Sequence, residues 1–136
     1  MKVLVDSCVW SLALRRNAVD DDPFIHELRE LIMEFRVQII GPIRQELLSG
    51  IKSPAQYKKL RDHLRAFPDL ALTSADYECA AEFFNTNRKN GVQGSGTDFL
   101  ICSVSHRYKM PVLTTDGDFK LYRQHVPFQL HVPRSF

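Results

Sequence analysis

The order of apolar and polar positions divides the chain into short strands separated by helices. Val3-Leu4-Val5 is a β-branched-rich run, too short for a helix, and reads as a strand buried on both faces. Asp6 ends it, and Ser7 suits the cap of a helix running to about residue 15. Asp20-Asp21-Asp22 before Pro23 marks a second helix over about 23–35, with Phe24, Leu28, Leu31 and Ile32 as its apolar stripe. Val37-Gln38-Ile39-Ile40 is the next strand. Gly41-Pro42 stops it and starts a helix that Gly50 ends. Ser53-Pro54 repeats the start signal for a helix ending near Phe67-Pro68, and Leu70-Ala71-Leu72 reads as a short extended piece. Ser74 opens a long helix to Arg88, carrying Tyr77, Ala80, Ala81 and Phe84 at helical spacing.

Gly91, Gly94 and Gly96 predict a flexible loop. Thr97-Asp98 begins a helix to about residue 108, and Pro111-Val112-Leu113-Thr114 is a strand with a polar turn, 115–119, off its end. Apolar and polar positions alternate over 128–132, as in an edge strand. Strands alternating with helices predict an α/β sandwich with a mostly parallel sheet. No repeat or linker interrupts the pattern, so a single domain over 1–136 is expected, long enough to bury a core without a disulfide or metal staple.

In open sheets of this kind, ligands bind beyond the carboxyl ends of the strands. Asp6 directly follows the first strand, and Asp116 and Asp118 follow the strand at 111–114. Glu46 sits one turn into the Pro42 helix, bordering the stripe of Ile43 and Leu47. Asp98 opens the helix that carries Leu100, Ile101 and Val104. Four segments remote in sequence thus bring carboxylates toward one sheet edge. Carboxylates packed together repel, and each is costly to keep ionised away from water. A hard divalent cation with oxygen ligands removes that conflict, activates water and neutralises a phosphate, so the expected chemistry is phosphodiester hydrolysis. Taken one at a time the acids have plainer roles: Asp6 and Asp98 as caps, Glu46 as a solvated residue, Asp116-Gly117-Asp118 as a turn. The ordered set carries the reading.

Four blocks bear a resemblance to a known family. They are Val5-Asp6-Ser7-Cys8-Val9-Trp10; Gly41-Pro42-Ile43-Arg44-Gln45-Glu46-Leu47-Leu48-Ser49-Gly50; Gly96-Thr97-Asp98-Phe99-Leu100-Ile101-Cys102; and Leu113-Thr114-Thr115-Asp116-Gly117-Asp118-Phe119. Over nearly the whole chain the sequence resembles the PIN-domain nucleases, and more closely the toxin ribonucleases of VapBC-type toxin–antitoxin pairs. The resemblance implies a three-layer α/β/α fold with a small central, mostly parallel sheet flanked by helices. It implies Asp6, Glu46, Asp98 and Asp116 as the catalytic, metal-holding acids, with Ser7 beside the metal and phosphate and Thr114 supporting through hydrogen bonds. Asp118 is a ligand through water or a turn-stabilising residue. It further implies Mg²⁺ or Mn²⁺, endonucleolytic cutting of structured RNA such as tRNA or rRNA, homodimerisation, and a VapB-like antitoxin that occludes the pocket. Two features depart from the commonest form: the glycine-heavy loop 91–96 and the bulky Phe99 beside Asp98. Two other readings stand beside this one. One is a non-catalytic PIN-like module that binds RNA or a partner. The other is an Asp6-dependent phosphotransfer domain, although Cys8 occupies the place where that chemistry wants a second acid.

A net charge of +2 announces no nucleic-acid binder in bulk, so any basic footprint is local. Arg15, Arg16, Arg88 and Lys89 are the expected RNA contacts at the pocket rim; Lys58, Arg61 and Arg65 share one helix face and read mainly as solvated. Trp10 is expected in the core or at a dimer contact rather than stacked on a base. The three cysteines form no CxxC and read as reduced, buried thiols of a cytoplasmic protein. Asp6 interrupts the apolar start too early for a signal peptide, and no run reaches the ~18 apolar residues of a membrane span. The histidines lack the spacing of a zinc site or the partners of a general base.

Overall fold

A computed structural model describes residues 1–15 and 21–135. Among them, strands β1 (Val3–Val5), β2 (Val37–Gln38) and β3 (Val112–Leu113) form one parallel sheet in the order β2-β1-β3. Val3 pairs with Val37 on one side of β1, and Val5 with Leu113 on the other. The helices are α1 (Ser7–Leu14), α2 (Pro23–Met33), α3 (Gly41–Leu48), α4 (Pro54–Leu64), α5 (Ser74–Lys89), α6 (Gly96–Tyr108) and α7 (Asp118–Arg123). They flank the sheet and complete the expected α/β/α layers. Val3, Leu4 and Val5 are wholly buried, which explains a central strand without polar alternation. None of the described helices is long and apolar enough to cross a membrane.

Helix starts follow the local chemistry. Asp22 accepts from the Phe24 and Ile25 amides ahead of Pro23, and the Ser53 hydroxyl accepts from the Gln56 amide ahead of Pro54. Thr73 and Asp76 form a reciprocal capping box at α5. The Ser95 hydroxyl accepts from the Asp98 amide, so α6 starts at Gly96 and Asp98 is inside its first turn.

Several expectations need correction. Helix α2 stops at Met33, short of Phe35, which has φ +58°. The Arg36 amide donates to the Leu31 carbonyl and the Phe35 amide to that of Ile32, a Schellman ending that a glycine usually occupies. Strand pairing after β2 reduces to one bridge between Ile39 and Asp69, and the expected piece at 70–72 forms no strand. The alternation at 128–132 likewise yields a single bridge, Val112 to Leu130, because only Val112 offers both backbone groups to that segment. The polar turn at 115–119 leads into α7, six residues long and too short to leave a periodic signal.

Two carboxylates are buried in the frame, away from the sheet's carboxyl edge. Asp76 accepts from the Thr73 amide at 2.8 Å, Arg107 Nε at 2.6 Å and the Tyr108 hydroxyl at 2.9 Å, tying α5 to α6. Burial pushes its carboxyl up, but these hydrogen bonds together outweigh it and hold it below the usual range. Glu27, on α2, meets His131 Nε2 at 2.5 Å and Arg134 Nε at 2.7 Å; Arg134 also grips Glu34 through two bonds of 2.9 and 3.0 Å. Burial raises the Glu27 carboxyl, and the hydrogen bonds to His131 and Arg134 more than offset that, leaving it lowered. His131 thus has an acidic partner that sequence spacing could not reveal.

Candidate active site

Asp6 directly follows β1 and Thr114 directly follows β3, the two strands being neighbours in the sheet. The Asp6 amide donates to the Leu113 carbonyl at 3.0 Å, which fixes the two strand ends side by side. Above this edge opens a cleft of about 600 Å³, and Asp6, Glu46, Asp98 and Asp116 all line it. Each arrives on a different element: Asp6 as the cap of α1, Glu46 on α3, Asp98 in the first turn of α6, and Asp116 between β3 and α7. Among the described residues, no lysine or arginine lines the cleft.

Neutral donors hold these carboxylates. Asp6 Oδ1 accepts from the Ser7 amide at 2.8 Å, and Oδ2 accepts from the Thr114 hydroxyl at 2.8 Å and Cys8 Sγ at 3.5 Å. The Thr114 oxygen in turn accepts from the Asp116 amide at 3.0 Å, so one hydroxyl links the loops carrying two acids. Asp116 Oδ1 accepts from the Asp118 amide at 2.9 Å and so serves the turn as well as the cleft wall. Asp98 Oδ2 accepts from the Tyr122 hydroxyl at 2.8 Å. Glu46 is exposed on α3.

Asp6 is 7% exposed, and burial pushes its carboxyl above the ordinary value. The hydrogen bonds from Thr114, Ser7 and Cys8 pull the other way without cancelling burial, and the charge of Asp98 adds to the rise. Burial likewise raises the Cys102 thiol beneath the cleft, with the charges of Asp98 and Asp6 acting in the same direction. These effects record the mutual proximity of Asp6 and Asp98.

The donor set fits a hard divalent cation in chemistry, being all oxygen and uncompensated by basic side chains. The tight convergence expected from the sequence is not formed: among the described residues, no three acidic, His or Cys groups stand close enough to hold one ion. Asp6, Asp98 and Asp116 each accept a hydrogen bond from a neutral protein donor.

A sequence model of the PIN domain matches residues 3–124. The chain belongs to the PIN domain family. The same fold recurs in several solved structures. A chain of FitAcB from Neisseria gonorrhoeae is 19% identical, with a TM-score of 0.77 over 96% of this chain and 97% of that one. A chain of VapBC2 from Rickettsia felis, bound to a promoter DNA fragment, is 18% identical, with a TM-score of 0.77 over 96% and 98%. A toxin–antitoxin complex from Klebsiella pneumoniae gives 16% identity and a TM-score of 0.62 over 87% and 90%. At these identities the likeness is one of fold. No curated protein matches the sequence at a significant level.

Within this PIN domain, Ser7 lines the cleft, whereas Asp118 is exposed and stays off its wall. None of the basic candidates described lines the cleft. Arg88 borders a small pocket with Gly94 and Phe99, Arg15 borders a groove between α1 and α4, Lys89 is exposed, and Arg16 lies outside the described residues. Arg61 and Arg65 both pair with Asp62. Trp10 is buried edge-on against Phe67, with ring centroids 5.2 Å apart. Sequence reasoning missed Cys8, which lines the cleft with its sulfur 3.3 Å from the Thr114 hydroxyl and is therefore more than a buried thiol. Tyr122 was also missed, and no local pattern marks it.

Proposed function

We propose that this PIN domain is a metal-dependent endoribonuclease and the toxin of a type II toxin–antitoxin pair. The observation that carries the reading is the cleft itself: four acids from four separate segments on the carboxyl edge of a parallel sheet, with no basic side chain among the described residues to neutralise them. Asp6, Glu46, Asp98 and Asp116 are the residues that would hold Mg²⁺ or Mn²⁺. When bound, the ion supplies a Lewis acid that activates water and offsets charge on the scissile phosphate.

The chain's own groups do the rest. Thr114 and the Ser7 amide fix both oxygens of Asp6, so this acid enters the reaction with its orientation set. The Ser7 hydroxyl, on the cleft wall, donates to a phosphate oxygen. Asp118, being exposed, acts through water or only through its turn. Arg15, Arg16, Arg88 and Lys89 contact the RNA backbone away from the reacting phosphate. The similar folds in toxin–antitoxin complexes support a VapB-like antitoxin as partner, and the family resemblance supports a homodimer working in the cytoplasm on structured RNA.

The test is incubation of the purified protein with total tRNA and Mg²⁺ or Mn²⁺, with and without EDTA, beside Asp98→Ala. Discrete fragments that vanish with chelator and with the substitution are expected. Cleavage that persists in either condition contradicts the reading.

A further inference from the structure

Tyr122 is 1% exposed, and its ring is held on two sides. Phe99 lies 4.7 Å away between centroids, tilted by 51°, and Phe119 lies edge-on at 5.2 Å. This grip aims the hydroxyl at Asp98 Oδ2, 2.8 Å away. The helix that carries Tyr122 is itself tied at its start to Asp116, whose Oδ1 accepts from the Asp118 amide. One short helix therefore touches two of the four cleft acids.

Gly94 completes the arrangement. A Cβ there would overlap the Tyr122 hydroxyl and stand 2.7 Å from Cζ and 2.9 Å from Cε1. The loop backbone thus lies against the phenol, and only glycine leaves the ring where it is. That gives one position of the glycine-heavy loop, expected from the sequence to be flexible, a steric task.

We infer that Tyr122 is a positioning residue for Asp98: its phenol pins Oδ2, so that Oδ1 is the oxygen presented to a cation. The inference rests on the proposed metal-holding role of Asp98. A carboxylate turns easily about its last torsion, which has broad, roughly two-fold preferences. Fixing one oxygen by a buried donor removes that freedom before a ligand arrives, and partners of this kind commonly change metal affinity by about 10- to 100-fold.

The experiment is a calorimetric titration of the whole chain with Mn²⁺, together with a melting curve, for the unsubstituted protein and four variants. Tyr122→Phe is expected to weaken Mn²⁺ binding by about 10- to 100-fold while still melting cooperatively. Gly94→Ala, which keeps the phenol but displaces it, is expected to weaken binding in the same direction. Asp98→Asn should abolish binding. Val126→Ala trims a buried residue just past the helix and should lower the melting temperature without changing Mn²⁺ affinity. Tyr122→Phe with unsubstituted affinity, where Asp98→Asn has lost it, overturns the role of Tyr122 and leaves the metal site standing. Equal weakening by Val126→Ala and Tyr122→Phe also overturns it, because general loosening then accounts for the effect. No Mn²⁺ binding by the unsubstituted protein, or binding indifferent to Asp98→Asn, overturns both the inference and the reading beneath it.

Discussion

Asp76 and Glu27 are buried to 0% and 1% exposure, and Asp6 to 7%, yet the three carboxylates live in opposite surroundings. The first two have arginine, and for Glu27 also histidine, within hydrogen-bonding distance, and both are held below the ordinary carboxylate range. Asp6 has a hydroxyl, an amide and a thiol for partners and another acid close by, and it is pushed upward. In the frame, the chain supplies its own counter-charge. In the cleft, the described residues supply none. An uncompensated charge at a strand edge is the condition under which an external cation binds with most gain.

The sharpest way to break this contrast is to neutralise each side in turn. Asp6→Asn should cut RNA cleavage at saturating Mg²⁺ by at least about 10³-fold, the several kcal/mol that metal-assisted charge stabilisation contributes. Its melting temperature should not fall, because burial disfavours the charge that is removed. A melting temperature lowered as much as in a frame variant would erase the distinction. On the other side, Arg107→Ala removes a cation from a fully buried acid. The arginine is 38% exposed, so solvent screens part of the loss, and a lowered urea midpoint is expected. The cleavage rate of this variant should stay within about two-fold, as surface-distant changes to stability leave transition-state contacts intact.

Acid titration separates the two settings by sign. Glu34, gripped by Arg134, is pushed down to about 2, and Glu27 and Asp76 are also lowered. For Glu34 the contribution is full above the unfolded value near 4.5 and is lost as pH falls toward 2, and the contributions of Glu27 and Asp76 are lost likewise as pH falls through their lowered values. Asp6, being raised, acts oppositely: its cost appears as pH rises through its elevated value and disappears in acid. Urea midpoints measured from pH 2 to 7 should therefore show an acid limb that Arg134→Gln flattens and Asp6→Asn leaves in place. The smallest effect concerns RNA contact. Arg88→Gln should raise KM about two- to three-fold and reduce the salt slope of binding by about one, if Arg88 neutralises one phosphate.

Much of the frame could be read locally because the signals are local. Pro23, Pro42 and Pro54 sit at helix starts, and Asp22 and Ser53 cap as their residue types suggest. Asp6 and Asp116 could be placed on one edge because each follows a strand and the strands are parallel. Strand lengths were over-read, since Ile39 and Leu130 form only isolated bridges, even though the sequence alternates around Leu130. The links that orient the site were illegible for a different reason. Tyr122 meets Asp98 across 24 positions, and Thr114 meets Asp6 across 108. Glu27 finds His131 across 104, and the Asp76–Arg107 pair spans 31. Such pairs are set by packing of finished elements, not by residue type or period. Even the mutual distance of the acids was over-read, because a pattern of acids says nothing about the donors toward which each will turn.

The most direct measurement is anomalous diffraction from a crystal of the protein soaked in Mn²⁺. The account predicts a manganese peak inside the cleft, bounded by the carboxylates of Asp6 and Asp98. A cleft without manganese at millimolar concentration, or manganese only at Glu27, Glu34 or another surface acid, would contradict it.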